Sequence, residues 1–172
     1  MKRCDKLVDV GRRKFLTGAS VTAVGAAASA VMVPQVKAAT GAAPDYPSNR
    51  LANLRDLKTN EPLNVSYPDA EAPGVLIKLG VRAPSGAGPD GDIVGFSTIC
   101  PHKGFPLAYN QGDRTLNCPG HYSRFDVEAG GQQTWGHATQ NLPQYVLRVD
   151  SNGDIYAEGV DELLYGRLSN VL

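Results

Sequence analysis

At 172 residues, 42% of them hydrophobic and 20% charged, the chain is sized and composed as one folded domain, not as a disordered or fibrous protein. The 17 Lys+Arg balance the 17 Asp+Glu only in total: residues 1–38 hold seven basic and two acidic residues, which leaves 10 against 15, a net of −5, in the rest. An acidic domain without a basic patch has no electrostatic case for binding nucleic acid.

The first forty residues differ in kind from the rest of the chain. Arg12-Arg13-Lys14-Phe15-Leu16 precedes a mildly apolar run, Thr17 to Val33, rich in Ala, Gly, Ser and Thr. The run ends at Pro34, and Val36-Lys37-Ala38 offers a small-residue cleavage site. Paired arginines before such a stretch resemble a twin-arginine export signal over residues 1–38, with a periplasmic domain from 39 to 172. The alternative is a retained membrane anchor, but the run falls short of the roughly 20 apolar residues that span a bilayer. Membrane association is not expected once the signal is removed.

From Ala39 to Leu57 the chain is punctuated by Pro and Asn and is expected to wrap the surface. Leu63–Tyr67 and Val75–Val81 read as strands, the second apolar enough to be half-buried. Pro84, Gly86, Gly88, Pro89 and Gly91 make a long loop of 82–92, and the strand Ile93–Ile99 then runs straight into Cys100. Arg124–Val127 is another strand, with a turn at Gly130-Gly131. Tyr145–Val149 and Ile155–Glu158 flank Asn152-Gly153, a strong hairpin signal. The tail Asp161–Leu168 is expected to form one short helix. With 19 Gly, 12 Pro and no sustained helical period, the pattern predicts an all-β fold of antiparallel sheets, sandwich- or barrel-like.

The chemistry is concentrated in C-P-H-K-G-F, beginning at Cys100, and C-P-G-H, ending at His121. Each half supplies one thiol and one imidazole: Cys100 with His102, and Cys118 with His121. Fifteen residues separate His102 from Cys118, so two loops must be brought together by the fold. Two sulfur and two nitrogen ligands suit zinc or an iron–sulfur centre. Structural zinc sites usually pair Cys with Cys and His with His, whereas mixed loops allow each Cys to reach one iron and each His the other. Cys4 lies in the signal, so Cys100 and Cys118 alone remain, and an exported protein could also join them as a disulfide. The histidines at matched offsets argue against that. Gly104, Pro106, Pro119 and Gly120 are turn residues suited to bringing backbone N–H groups near a sulfide. Ser123 is placed to donate a hydroxyl hydrogen bond to a cluster sulfur. His137, in W-G-H-A-T, reads as a structural or surface residue outside the ligand set. No phosphate loop, internal repeat or Ser-His-Asp order appears.

The pattern C-x-H-x₁₅-C-x-x-H resembles the Rieske family, and the likeness runs from about Gly91 to Pro143, the expected cluster-binding subdomain being about 92–143. The resemblance implies a [2Fe–2S] cluster held by Cys100, His102, Cys118 and His121 on two loops. Rieske proteins of the bc type carry two further cysteines joined as a disulfide; Phe105 and Gly120 stand there instead. The family's cluster-tuning tyrosine falls on Phe125. A twin-arginine signal, a small Rieske domain without that disulfide, and Gln140-Asn141-Leu142-Pro143 together resemble the small subunit of arsenite oxidases. That resemblance implies a periplasmic heterodimer with a molybdopterin-containing large subunit, passing single electrons to a cytochrome c or similar acceptor. A quinol-oxidising bc-type subunit and a stand-alone ferredoxin are the alternatives. No residue looks like a substrate-binding acid, base or nucleophile, so the chain is expected to be a relay and not catalytic alone. Leu107, Tyr109 and Tyr122 are candidates for a partner interface or for packing that shields the cluster.

Overall fold

A computed structural model describes residues 45–171; the expected signal lies outside them. Among the described residues ten strands make three antiparallel sheets. The first is β1 (Asn49–Asn53), β10 (Asp154–Val160) and β9 (Tyr145–Val149), in that order. The second is β2 (Pro62–Ser66), β3 (Pro73–Lys78) and β4 (Ile93–Ser97). The third is β5 (Ala108–Asn110), β6 (Thr115–Asn117), β7 (Arg124–Asp126) and β8 (Gln132–Trp135). The all-β expectation holds. Among the described residues no helix is long and apolar enough to cross a membrane.

The β2–β3–β4 sheet positions everything else. Its register sets Val75 against Phe96 and Ile77 against Val94. Side chains alternate along a strand, so these four share one face. That face packs into a core with Cys100, Leu116, Cys118 and Phe125. Leu76 and Ile93 point the other way, onto Ala52 of β1, Leu57 and Ile155 of β10. The Val75–Ile77 run is therefore buried on both faces, not one, which is why it is continuously apolar instead of alternating. Each such side chain contributes roughly 1.5–3 kcal/mol on full burial. Gly95 lies opposite Leu76 because the Tyr145 ring lies against it: a β-carbon there would sit 2.8 Å from Tyr145 Cδ2.

Two expectations are corrected. The supposed surface wrap of 39–57 contains β1 and a 3-10 turn, Leu54–Asp56, capped by the Asn53 side chain. Asn-Arg-Leu-Ala-Asn has little strand propensity of its own; antiparallel pairing with β10 imposes the conformation. The tail 161–171 contains no helix. Asp161, the residue that could have capped one, instead accepts the Gln144 N–H at 2.7 Å, and Gly166 at φ +81° is incompatible with helix. The tail is pinned by side chains. Asn170 accepts the Leu164 N–H and donates to Glu162 O and Tyr46 Oη, all within 2.9 Å, while Arg167 grips Asp69 through two bonds of 2.5 and 2.8 Å.

Candidate metal centre

Two loops leave the sheets with one backbone frame. The first, 98–107, joins β4 to β5; the second, 118–123, joins β6 to β7. In the first, Cys100 N–H donates to Phe105 O at 2.8 Å and Gly104 N–H to Cys100 O at 2.8 Å. In the second, Cys118 N–H donates to Ser123 O at 2.8 Å and Tyr122 N–H to Cys118 O at 3.1 Å. The fourth residue after each cysteine is left-handed: Gly104 at φ +72° and Tyr122 at φ +59°. The same turn thus recurs although the histidine follows its cysteine by two residues in one loop and three in the other.

This frame brings together the four expected ligands. Cys100 and Cys118 are both buried free thiols, so the disulfide alternative is not realised. Burial pushes the Cys100 thiol up; the His102 amide aimed at its sulfur works against this, the neighbouring Cys118 thiol adds to it, and the Lys103 amide again opposes it. Amides converging on a sulfur stabilise it as thiolate once a cation is present. The His102 and His121 rings meet edge to face, 4.7 Å between centroids. His102 Nδ1 is buried without a hydrogen-bond partner among the described residues. Leaving such a nitrogen orphaned is costly, and a free buried lone pair is what a metal ligand needs. Burial, then His121, His137 and Lys103, lower the His102 pKa, which keeps that lone pair available. Among the described residues no three His, Cys, Asp or Glu side chains gather around one ion position. Each loop offers one thiol and one imidazole, and a two-iron cluster of this kind takes two thiolates at one iron and two imidazoles at the other. The donor set fits a binuclear cluster.

The surroundings divide into packing and polar contacts. The Phe105 ring lies on Gly120, where a β-carbon would approach Phe105 Cδ2 to 2.9 Å, and meets His121 edge to face at 5.6 Å. Aromatic packing therefore joins the loops at the two positions where the resemblance to bc-type Rieske proteins implies a disulfide. Phe125 is fully buried in the core that holds both cysteines. Ser123 is also fully buried, and its Oγ accepts from the N–H groups of His137 at 3.1 Å and Ala138 at 3.0 Å. With both lone pairs engaged, its hydroxyl hydrogen remains the group able to donate.

Some expectations about neighbours sharpen. Leu107 and Tyr109 pack against the main core, which gives them the shielding role, whereas Tyr122 is exposed. His137 is exposed as expected, yet it stacks on His102 at 5.8 Å and lies 6.3 Å from His121. Sequence reasoning missed the segment that carries it. Gly136 fits against Ser123 so closely that a β-carbon would lie 2.5 Å from Ser123 Cα. It also missed Tyr165, whose ring covers Gly104 of the first loop. A glycine next to an aromatic is the faint signal in each case.

Residues 48–146 match the family described as Rieske [2Fe-2S] domain. The iodate reductase subunit IdrB of Denitromonas iodatirespirans is 40% identical over 164 residues, 94% of this chain and 86% of that protein. That of Pseudomonas sp. (strain SCT) is 44% identical over 161 residues, 91% of this chain and 82% of that protein. The soluble domain of Rieske protein II (soxF) from Sulfolobus acidocaldarius shares the fold, with a TM-score of 0.64 over 72% of this chain and 82% of its own, at 24% identity.

Proposed function

The chain belongs to the Rieske [2Fe–2S] domain family and carries that cluster, and from this premise we propose that it is the electron-transfer subunit of a periplasmic molybdopterin oxidoreductase acting on an inorganic oxyanion. Cys100 and Cys118 would hold one iron, and His102 and His121 the other. The observation that carries the ligand set is the repeated turn, which presents one Cys and one His from each loop, with His102 Nδ1 buried and unpartnered. The cluster supplies one-electron redox chemistry. The chain's own residues would ligate it and exclude water through Phe125, Leu116 and the β3–β4 face, and the Ser123 hydroxyl, both lone pairs engaged, would be free to donate to a cluster sulfur.

Identity of 40–44% across more than nine-tenths of the chain with two iodate reductase subunits favours iodate reduction, with this chain feeding electrons to a catalytic subunit. A second reading, arsenite oxidase, rests on Phe105 seated on Gly120 in place of the disulfide; there electrons flow outward. In either case the second redox partner is a soluble cytochrome c or a similar carrier. Export is supported by Arg12-Arg13 ahead of a mild apolar run.

The complex purified from the periplasm tests this. A rhombic Rieske signal by electron paramagnetic resonance, together with molybdenum in a co-purifying subunit, is the expected result. Iodate should then reoxidise the dithionite-reduced cluster. If arsenite instead reduces the oxidised cluster, the second reading replaces the first. Zinc without iron would overturn both.

A further inference from the structure

Residues 98–107 and 118–123, the two loops, and 134–141, the segment that stacks His137 on His102, contain a single charged side chain, Lys103. It is exposed and pairs with no carboxylate among the described residues. The sheet β5–β8 and its turns hold their arginines as pairs instead: Arg124 bonds Asp113, and Arg114 bonds Glu128. The domain as a whole is acidic, with a net of −5 beyond residue 38. A lone cation therefore stands beside the site in a domain whose overall charge has the opposite sign.

Its place in the turn is fixed. Lys103 lies between His102 and Gly104, so its Cα is about 3.8 Å from that of the histidine. Gly104 N–H donates to Cys100 O at 2.8 Å, Gly104 is left-handed at φ +72°, and the Tyr165 ring closes over it. The Lys103 amide is aimed at the Cys100 sulfur. The lysine stem can swing, but its root cannot move, and the ammonium stays within a side chain's reach of His102. Its charge is felt there: after burial and the two neighbouring histidines, Lys103 also opposes a proton on that ring. A field that opposes a proton on His102 favours an electron on an iron bound to it.

We propose that Lys103 sets the reduction potential of the site by its charge, raising it against the pull of the acidic remainder of the domain. This rests on the cluster of the proposed function, not on which oxyanion the complex takes. Two ferric ions, two sulfides, two thiolates and two neutral imidazoles sum to no net charge, and one added electron leaves a single negative charge. No bond forms or breaks in that step, and Lys103 gives up no proton. Its ammonium favours the reduced form because only that form carries the opposite charge. Ser123 acts through one directed hydrogen bond, whereas Lys103 acts through space and from the surface, where salt reaches it.

The test is a potentiometric titration of the complex with its molybdenum-containing subunit, followed through the rhombic signal, for Lys103→Met, Lys103→Glu and Lys103→Arg. Lys103→Met should lower the equilibrium constant for one-electron reduction about threefold, or about 28 mV at about 59 mV per tenfold. Lys103→Glu, which reverses the charge, should lower it about tenfold, or about 59 mV. Lys103→Arg keeps the charge and should keep the wild-type potential. Raising salt from about 0.05 M to about 0.5 M should shrink both shifts to less than half. Lys78 pairs with Ile93, at the end of β3–β4 away from Cys100, so Lys78→Met removes the same charge far from the site and should leave the potential unchanged. Equal shifts from Lys78→Met and Lys103→Met would mean that net charge acts and Lys103 does not. Unchanged potentials in the Met and Glu variants, with the rhombic signal intact, overturn the inference while the cluster stands. If Lys103→Met loses the cluster, Lys103→Glu against Lys103→Arg decides. A wild-type complex holding zinc and no iron overturns the functional reading and this inference together.

Discussion

The two cluster loops close the same turn with different residues and are held from different directions. In the first, the left-handed position is Gly104, and the Tyr165 ring, arriving from the pinned C-terminal tail, occupies the space a side chain would need. In the second, the same position is Tyr122, a residue that is strained in this conformation and turns its ring to solvent. The first loop is supported from outside by apolar contact with residues about sixty positions away. The second is supported from beneath by the Ser123 hydroxyl, which accepts two N–H groups of the segment after β8. Hydrogen bonding therefore sets the shape of the frame, and its support can be either packing or polar contact.

The largest effect should come from Ser123→Ala. It leaves the amides of His137 and Ala138 without their acceptor and removes the hydroxyl hydrogen from the cluster side. An orphaned buried amide costs about 1–3 kcal/mol, and the partly exposed His137 amide less, so the cluster-loaded protein should lose about 2–4 kcal/mol. Its reduction potential should fall as well, because a hydrogen bond to sulfur stabilises the reduced state. Thermal unfolding and a potentiometric titration read the two effects separately. An unchanged potential would show that the hydroxyl acts only as a clip.

The next effect exploits the equivalence of Gly104 and Tyr122. Gly104→Ala places a β-carbon 2.5 Å from Tyr165 Cε1 at φ +72°. The left-handed conformation costs about 1–2 kcal/mol for a residue with a side chain, before the displacement of Tyr165 is counted. Tyr122→Gly relieves that same strain but frees the unfolded chain by about 0.5–1 kcal/mol, so it should lie within about 1 kcal/mol of wild type. Urea midpoints followed through the cluster's absorbance compare the two. Equal costs would mean that the tail contributes nothing to the first loop.

The four candidate ligands stand out in the sequence because cysteine and histidine in matched short motifs have few other uses, and the repeated turn places the two motifs side by side. The strands around them were legible where apolar runs made them so, as in Val75–Ile77, Ile93–Ile99 and the Asn152-Gly153 hairpin. β5, β6 and β8 were not: Ala-Tyr-Asn, Thr-Leu-Asn and Gln-Gln-Thr-Trp have neither length nor alternation, and pairing with neighbours creates them. The tail failed for a related reason. Its eight residues could have formed a helix, but Asp161 and Asn170 bind distant backbone groups instead of local ones. The contacts of Tyr165 with Gly104 and of His137 with His102 join residues far apart in the chain, and no local pattern encodes them.

The smallest effect is one of pH, and it should separate the loops. Arg167, bonded to Asp69, holds that carboxyl below the usual range. A depressed folded pKa means the pairing stabilises fully above the ordinary carboxyl value, near 4, and is lost as pH falls through the lowered value. Asp161 on the same tail works oppositely: burial pushes its carboxyl up, so acidification relieves a desolvation cost there and reduces the net change. The Asp69 side chain is 40% exposed, so solvent screens the pair and keeps its contribution modest. Hydrogen exchange by mass spectrometry should show residues 161–171 opening faster near pH 3 than near pH 6, relative to the intrinsic rate at each pH. The 118–123 loop, clipped by a serine and two amides, should be unaffected. Asp69→Asn should reproduce the loosening at neutral pH, where Asp161 is not involved. If the variant leaves the tail closed, then Asn170 and the buried Leu164 hold Tyr165 over Gly104 without help from the ion pair.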